Sequence, residues 1–341
     1  MTHFFKTIAA GHALSEQDMF EAITFIMGGT ASNADVRPFL ENMAMRGETV
    51  EEIIGAARAL RARSLVIQAP PGTIDCCGTG GDKTNTYNVS TAVAFVVAAC
   101  GVPVAKHGNR ASSSRCGAAD VLEALGVNLN LTKDALEESL EKLHFAFLLA
   151  SRHHPAMKHV AVARKKLNIP TIFNLIGPLC NPAQVKHQLL GVYHQRWLRP
   201  VAEALKALGS EKAWVVHGSD GLDEISLAGE TYVAQLENGT IHEFVITPED
   251  FGLPRQSLKD TGGQAIENVA ALRAVLEGHA GPYRDIVLAN AAAALSIRGV
   301  VKSLPEGVAR AAEAIDEGLA LQTLKDYVVF SREERNTESE E

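Results

Sequence analysis

The residues best suited to chemistry start at Asp75-Cys76-Cys77 and continue as Gly78-Thr79-Gly80-Gly81-Asp82-Lys83-Thr84-Asn85-Thr86-Tyr87-Asn88-Val89-Ser90-Thr91. Three glycines within four residues follow a short run, Thr73 to Cys77, that suits a buried strand. The all-apolar run Ala92 to Cys100 comes next and stops at Gly101 and Pro103, as a buried helix too short to span a membrane would. Strand, glycine loop and hydroxyl-rich helix start together make a phosphate cradle. Glycine lets backbone N–H groups approach an anion, and a helix N-terminus adds unpaired donors and a favourable dipole. No Gly-Lys-Ser/Thr closes the loop as in a nucleotide P-loop, and Gly78 to Gly81 lack the dinucleotide-binding spacing. Glycine content alone fits a tight turn equally well.

A second unit repeats the pattern. Val102 to Ala105 reads as a buried strand that delivers Lys106-His107-Gly108-Asn109-Arg110-Ala111-Ser112-Ser113-Ser114-Arg115 into a loop. Gly117 to Leu125 reads as the next helix, ended by Gly126, and Val127 to Leu129 as a third short strand. Three cations and three hydroxyls within ten residues would also suit a solvated surface loop. Their place one unit after the glycine loop favours phosphate, because ligands of an open parallel sheet gather outside the carboxyl ends of its strands. Two further candidates read blandly by themselves. Asp223-Glu224, on a turn after the strand ending at His217, resemble a solvated corner, and Arg164 is one cation of Arg164-Lys165-Lys166. His153, His154 and His159 match no zinc spacing, and packed or hydrogen-bonded roles suit these histidines better than metal ligation.

The elements that must position these groups can be read on either side. Residues 14 to about 67 carry three helical patterns. Ser15 caps the first, which ends at Gly28-Gly29; the second starts near Ser32 or Asn33 and ends near Gly47; Thr49-Val50-Glu51-Glu52 is a capping box for the third. Gln68-Ala69-Pro70-Pro71-Gly72 marks a linker. Downstream, Gln188 to Tyr193 and Ala213 to His217 are predicted strands flanking a helix from Trp197 to Leu208. Tyr232 to Leu236 and Ile241 to Val245 form a hairpin across Asn238-Gly239. Helical runs cover about 264 to 278, 283 to 298 and 305 to 327, and a charged tail from Ser331 to Glu341 is expected to fray. The expected division is a small helical domain over 1–70, joined by part of 155–185, and an α/β domain over 71–341.

Composition narrows the function classes. The 341 residues, 46% hydrophobic and 21% charged, are those of an ordinary globular chain, and a net charge of -8 argues against a nucleic-acid or membrane surface. Met1 to Gly11 lacks the long apolar core of a secretory signal, and five cysteines without a paired framework fit reduced thiols, so a cytoplasmic location is expected.

Taken together, three segments resemble anthranilate phosphoribosyltransferases: Gly78-Thr79-Gly80-Gly81-Asp82, Lys106-His107-Gly108-Asn109-Arg110-Ala111, and Ala119-Asp120-Val121-Leu122-Glu123-Ala124-Leu125-Gly126. The likeness continues through His154-Pro155-Ala156-Met157-Lys158-His159-Val160, Phe173-Asn174-Leu175-Ile176-Gly177-Pro178-Leu179 and Val216-His217-Gly218-Ser219-Asp220-Gly221-Leu222-Asp223-Glu224-Ile225-Ser226. The family joins 5-phosphoribosyl 1-pyrophosphate to the amino group of anthranilate and releases pyrophosphate, in tryptophan biosynthesis. The resemblance implies an α/β fold of the nucleoside phosphorylase/phosphoribosyltransferase-like kind, with a small helical N-terminal domain and a larger α/β domain around a mostly parallel sheet. It also implies an active site at the hinge, a homodimer, and two magnesium ions.

Carried over by position, the resemblance assigns the donor to Gly78, Gly81, Asp82, Thr86, Asn88, Val89, Ser90 and Thr91, then to Lys106, His107, Gly108, Asn109, Arg110, Ala111, Ser112, Ser113, Ser114 and position 118. It places anthranilate against Gly78, Asn109 and Arg164, and magnesium on Ser90, Asp223 and Glu224. No acid or base is assigned. Three positions depart from the family pattern: Lys83 stands where a small residue is frequent, Ala118 replaces a frequent serine and so lacks its hydroxyl contact, and Ser151 replaces a common proline. Two rival readings are a pyrimidine nucleoside phosphorylase and a non-enzymatic relative that binds nucleic acid. The first typically carries an additional C-terminal domain and a different glycine loop; the second should show a basic face.

Overall fold

In a computed structural model, the described residues are 3–82, 84–111, 115–167, 169–258 and 261–337, with side chains described to 333. The chain opens with helices α1 (His3–Ala9), α2 (Glu16–Met27), α3 (Asn33–Arg46) and α4 (Val50–Arg61). The predicted caps are present. Ser15 accepts from the Asp18 N–H, Ser32 from the Asp35 N–H, and Thr49 exchanges both capping-box bonds with Glu52. Of these four only α1 was not foreseen: its seven residues carry Phe4, Phe5 and Ile8 inward, too few to establish a period.

Strand β1 (Ile74–Gly78), helix α5 (Val89–Ala99) and strand β2 (Val104–Gly108) follow, then α6 (Ala118–Ala124), α7 (Lys133–Leu143), β3 (Phe145–Leu149) and α8 (Ala150–His153). The chain returns to the helical layer with α9 (Lys158–Leu167) and α10 (Ile172–Ile176). It re-enters the sheet with β4 (His187–Gly191), α11 (Leu198–Ala207), β5 (Lys212–Gly218), β6 (Thr231–Glu237) and β7 (Thr240–Ile246), and ends with α12 (Ala265–Leu276), α13 (Pro282–Ile297), α14 (Leu304–Asp316) and α15 (Leu319–Thr337). Among the described residues seven strands form one sheet in the order β3-β2-β1-β4-β5-β6-β7. β3 through β5 in that order are parallel, and β6 and β7 antiparallel.

Both faces of the sheet are covered, and strand alternation sorts the side chains between them. Trp214 and Val216 of β5 face α5 and the C-terminal helices, whereas Ala213 and Val215 face α11 and the N-terminal helices. On the first face the Phe95 and Phe145 rings stack at 4.4 Å, and Tyr327 closes edge-on at 4.7 Å from Phe145. The three chain segments that pass between helical layer and sheet are bonded to one another. Leu65 N–H donates to the His153 carbonyl at 3.0 Å, Ile67 N–H to the Pro182 carbonyl at 3.3 Å, and His154 Nε2 to the Cys180 carbonyl at 2.9 Å.

Three sequence expectations are corrected. Val127 to Leu129 is a loop, and β3 at 145–149 takes the third place beside β2. The Asn128 N–H is taken by Ser331 Oγ at 3.0 Å, and Asn128 Oδ1 accepts from the Asn130 N–H, so side chains satisfy what a ladder would have. The run from 305 to 327 is two helices, broken at Gly318 with φ +75°, where a side chain would be strained. The tail expected to fray from Ser331 continues α15 to Thr337, with Ser331 fully buried.

Candidate active site

The site forms where β1, β2, β4 and β5 end. The glycine loop after β1 is fixed to β4: Thr79 N–H donates to the Gly191 carbonyl at 2.9 Å, and Thr79 Oγ1 accepts from the Tyr193 N–H at 3.0 Å. Gly80 and Gly81 have φ of +63° and +82°, the left-handed region that glycine enters freely. Gly80 N–H donates to Asp223 Oδ2 at 2.7 Å, so one cradle donor holds a carboxylate. The loop leaves room for that carboxylate, since a Cβ on Gly78 would lie 2.4 Å from Asp223 Oδ2. A Cβ on Gly191 would lie 1.5 Å from the Asp223 carbonyl oxygen. Gly191→Ala must therefore displace backbone. We expect a stability loss of at least ~1–3 kcal/mol, the range for overpacking, together with loss of activity. Urea unfolding alongside a turnover assay checks this, and wild-type values in both would contradict the packing.

Beyond the loop, Asp82 accepts from Thr84 Oγ1, and Asn88 is held from three sides. Its N–H and Nδ2 both donate to Asn268 Oδ1, at 3.0 and 3.1 Å, and its carbonyl accepts from Tyr283 OH at 2.8 Å. Asn88 therefore does not cap α5 with its side chain, and of the first amides of that helix the Ser90 N–H faces the Glu224 carboxylate. Val89 and Thr91 side chains are buried. Gly262 N–H donates to the Asn85 carbonyl at 2.7 Å, and a Cβ on Gly262 would stand 2.4 Å from the Thr86 carbonyl. Sequence reading missed this second layer of Gly262, Asn268 and Tyr283. The Gly262-Gly263 pair was the one visible signal.

The end of β2 supplies the second part. Lys106 is 1% exposed, and its Nζ donates to the Cys76 carbonyl at 2.8 Å and to Ser90 Oγ at 3.0 Å. Asp75, wholly buried, accepts from the His107 N–H at 3.2 Å and from Asn181 Nδ2 at 2.8 Å. The His107 and His154 rings lie 5.3 Å apart, edge to face. Burial, first of all, keeps both neutral: His107 is held well below the usual imidazole range, and His154 is pushed down to about 4. Gly108 passes close to Phe147 and Ala118; a Cβ there would be 2.8 and 3.4 Å from them. Asn109 accepts from the Ala119 N–H through its carbonyl, at 3.2 Å. Arg110 turns away from the loop onto α6, with Glu123 at 2.7 and 2.9 Å and Asp120 at 3.3 Å. Asp120 also accepts from the Ala111 and Gly117 N–H groups at 2.9 Å each, so this ion pair shapes the loop. Ser112 to Ser114, predicted beside the donor, and Lys83, which departs from the family pattern, lie outside the described residues.

Asp223-Glu224 is not a solvated corner. Gly218 and Gly221 close the turn, with Gly221 at φ +97°, and Ser226 Oγ donates to Asp220 Oδ2 at 2.9 Å. Buried Asn290 of α13 grips the next residue at both ends, accepting from the Ile225 N–H and donating to the Ile225 carbonyl, each at 3.0 Å. The pair is thus anchored just past Glu224. Burial raises both carboxyls; after it Asp82 raises Asp223, and Asp223 raises Glu224, which the Ser90 N–H and Lys106 oppose. On the helical side, the Arg164 guanidinium lies 5.6 Å from the Phe173 ring centre, and burial lowers its pKa. Among the described residues it has no carboxylate partner.

A mostly parallel α/β layer with a helical bundle, and a cation, a helix N-terminus and an acid pair at its strand ends, defines a glycosyl-transferring enzyme. The sequence agrees: residues 70–321 match the glycosyl transferase family, a/b domain, and 2–64 its helical bundle domain. Anthranilate phosphoribosyltransferase of Rhodospirillum rubrum is 55% identical over 95% of this chain and 93% of its own length. The crystal structure of the Thermus thermophilus anthranilate phosphoribosyltransferase superposes with a TM-score of 0.91 at 42% identity, over 97% of this chain and 100% of that one. The Saccharomyces cerevisiae protein, in complex with PRPP and Mg, gives 0.89 at 30% over 97% of each chain. In complex with 4-fluoroanthranilate it gives 0.86 at 29% over the same coverage. The chain belongs to the anthranilate phosphoribosyltransferases.

Proposed function

We propose that the protein transfers the phosphoribosyl group of 5-phosphoribosyl 1-pyrophosphate to the amino group of anthranilate, giving N-(5-phosphoribosyl)anthranilate and pyrophosphate, a step of tryptophan biosynthesis. The observation that carries this is the convergence on Ser90. The Lys106 ammonium bonds its hydroxyl, the Glu224 carboxylate faces its N–H, and it stands in the uncapped first turn of α5. A pyrophosphate placed there meets a buried cation and the first turn of a helix.

Breaking the bond from ribose C1 to pyrophosphate puts positive charge on the sugar and negative charge on the leaving oxygens. Lys106 and the α5 amides stabilise the second, which is where preorganised donors act most strongly. Gly78, Gly81, Asp82, Thr86 and the 106–111 loop hold the rest of the donor, with Arg110 ordering that loop through α6 rather than touching phosphate. Anthranilate lies against Gly78, Asn109 and Arg164, its uncharged amine needing no strong base, and fixed geometry sets the amine behind C1.

The acid pair fits magnesium. Asp223, Glu224 and Ser90 offer hard oxygens, and among the described residues no group of three or more His, Cys, Asp and Glu stands ready to enclose an ion. That suits a cation bound by one or two carboxylates, waters and substrate phosphates. Magnesium, when bound, neutralises the pyrophosphate charge. We place two ions, Ser90 and Glu224 on the first and Glu224 and Asp223 on the second.

The five cysteines are buried, and Cys76, Cys77, Cys100 and Cys180 are thiols outside any disulfide, which supports a reducing compartment, the cytoplasm. Among the described residues no helix is long and apolar enough to cross a membrane. A net charge of -8 gives no support to a nucleic-acid partner. The helical body (1–70 with part of 155–185) and the α/β body (71–341) meet at the site. Exposed Met45, Val162 and Ile169 give the helical body apolar surface for pairing two copies.

Arg164→Ala is expected to raise the KM for anthranilate by at least ~10-fold, the loss of a charge-assisted carboxylate contact, and to leave the donor KM within about twofold. Initial rates against each substrate check it, and a variant that loses only donor affinity would remove Arg164 from the carboxylate. Product analysis tests the reaction itself. Pyrophosphate and a phosphoribosylated aromatic amine are expected; cleavage of pyrimidine nucleosides by free phosphate would favour the phosphorylase reading instead.

A further inference from the structure

β1 and β2 are paired at Ile74↔Val104 alone, whereas β1–β4 and β2–β3 run through five pairs each. In a regular parallel ladder the next step would set Cys76 between the flanking groups of β2, with the His107 N–H donating to the Cys76 carbonyl. Side chains occupy those groups instead. His107 N–H donates to Asp75 Oδ1 at 3.2 Å, the Cys76 carbonyl accepts Lys106 Nζ at 2.8 Å, and the Ala105 carbonyl accepts Asn181 Nδ2 at 2.8 Å. The same Asn181 amide donates to Asp75 Oδ2 at 2.8 Å, and Asn181 Oδ1 accepts from the Ala183 N–H at 2.8 Å, anchoring it in the segment that enters β4. Asp75 is 0% and Asn181 2% exposed. Neither touches the open site.

Backbone bonds would have satisfied these ladder groups without burying ions. A buried carboxylate is weak support for stability, because its desolvation opposes folding. Its presence here asks for a role in placement, and the geometry supplies one. The wedge parts β1 from β2 between the two loops, and the ladder acceptor it frees, the Cys76 carbonyl, is one of the two groups that seat Lys106 beside Ser90.

We propose that Asp75 is a positioning residue for the transfer reaction: with Asn181 it holds the ends of β1 and β2 apart and so sets the Lys106 ammonium where the donor's pyrophosphate lies. The proposal rests on the transfer reading above. Asp75 acts through Lys106, so its effect falls on the donor and vanishes where Lys106 is absent. Burial pushes the Asp75 pKa up, while Lys106, the Asn181 amide and the His107 N–H pull it down.

A double-mutant cycle on the full chain tests this, using Asp75→Asn, Lys106→Ala and the pair. Pyrophosphate release is followed against each substrate, and the melting temperature of every variant is recorded. Asp75→Asn keeps the shape but turns an amide N–H₂ toward donors. It is expected to lower kcat/KM for the donor at least ~10-fold in the wild-type background and less than about twofold in the Lys106→Ala background, the non-additivity of groups acting as a unit. The KM for anthranilate should stay within about twofold. An equal loss in both backgrounds, or an equal loss on both substrates, makes Asp75 a support of the fold only and overturns the proposal. Should Asp75→Asn not fold, Asn181→Ala takes its place in the cycle, with at least about a threefold donor loss expected in the wild-type background alone; additive behaviour again overturns it. Absence of any turnover by the wild-type chain would fail the transfer reading, a result separate from either outcome of the cycle.

Discussion

Asp223→Asn with Glu224→Gln is expected to abolish nearly all turnover, by ~1000-fold or more, the scale on which aligned electrostatic groups act on a transition state. Both side chains keep their size, so Gly80 still has an oxygen or amide at Asp223's place and the Gly78 and Gly191 contacts remain. What disappears is the charge that would hold magnesium against the donor. Raising magnesium should restore little. Stability should move the other way. Burial holds both carboxyls above the ordinary range. A group so raised contributes stability below its unfolded range, and that contribution is lost as pH rises through the folded value. The metal-free wild-type chain should therefore lose stability between the usual carboxylate range and neutrality, and the double variant should lose less. Melting curves across that window, with and without magnesium and donor, check this independently of activity. Wild-type activity with wild-type magnesium dependence in the double variant would contradict the assignment.

Lys106→Ala comes next in size. A charge-assisted hydrogen bond is worth roughly 1.5–3 kcal/mol, so one to two orders of magnitude should be lost in kcat/KM for the donor. Anthranilate handling should change much less, because Asn109 and Arg164 are untouched. The same substitution leaves the Cys76 carbonyl without its donor and Asp75 without a neighbouring cation, both in the interior. Leaving a buried acceptor unpaired costs about 1–3 kcal/mol, so a lower unfolding midpoint should accompany the kinetic loss. Donor kinetics measured well below that midpoint separate the two effects. An unchanged donor response in folded protein would remove Lys106 from the pyrophosphate.

Much of this architecture was legible because local chemistry dictates it. Thr49 and Glu52 announce their helix by reciprocal capping, Asn238-Gly239 its hairpin, and the apolar run from Ala92 its wholly buried helix. The two loops at the ends of β1 and β2 were visible as glycine and cation clusters. What stayed hidden depends on residues distant in sequence. Asn268 and Tyr283 fix Asn88 from about 180 and 195 residues away. Asn181 reaches Asp75 across 106. No periodicity encodes such pairs. Val127 to Leu129 failed as a strand because Asn128 and Asn130 sit in it, and their side chains compete for the backbone. Arg110 was visible as a cation, but its ion pairs with Asp120 and Glu123, ten and thirteen residues on, were not. Asp223-Glu224 looked like a solvated corner because the grip of Asn290 on Ile225 leaves no mark in the sequence near the acids.

The most direct measurement is incubation of the purified chain with anthranilate, 5-phosphoribosyl 1-pyrophosphate and magnesium, following anthranilate fluorescence and pyrophosphate together. Fluorescence should fall as pyrophosphate appears in equal amount, and leaving out the donor or the metal should stop both. Folded protein that leaves the fluorescence unchanged and releases no pyrophosphate would contradict the account.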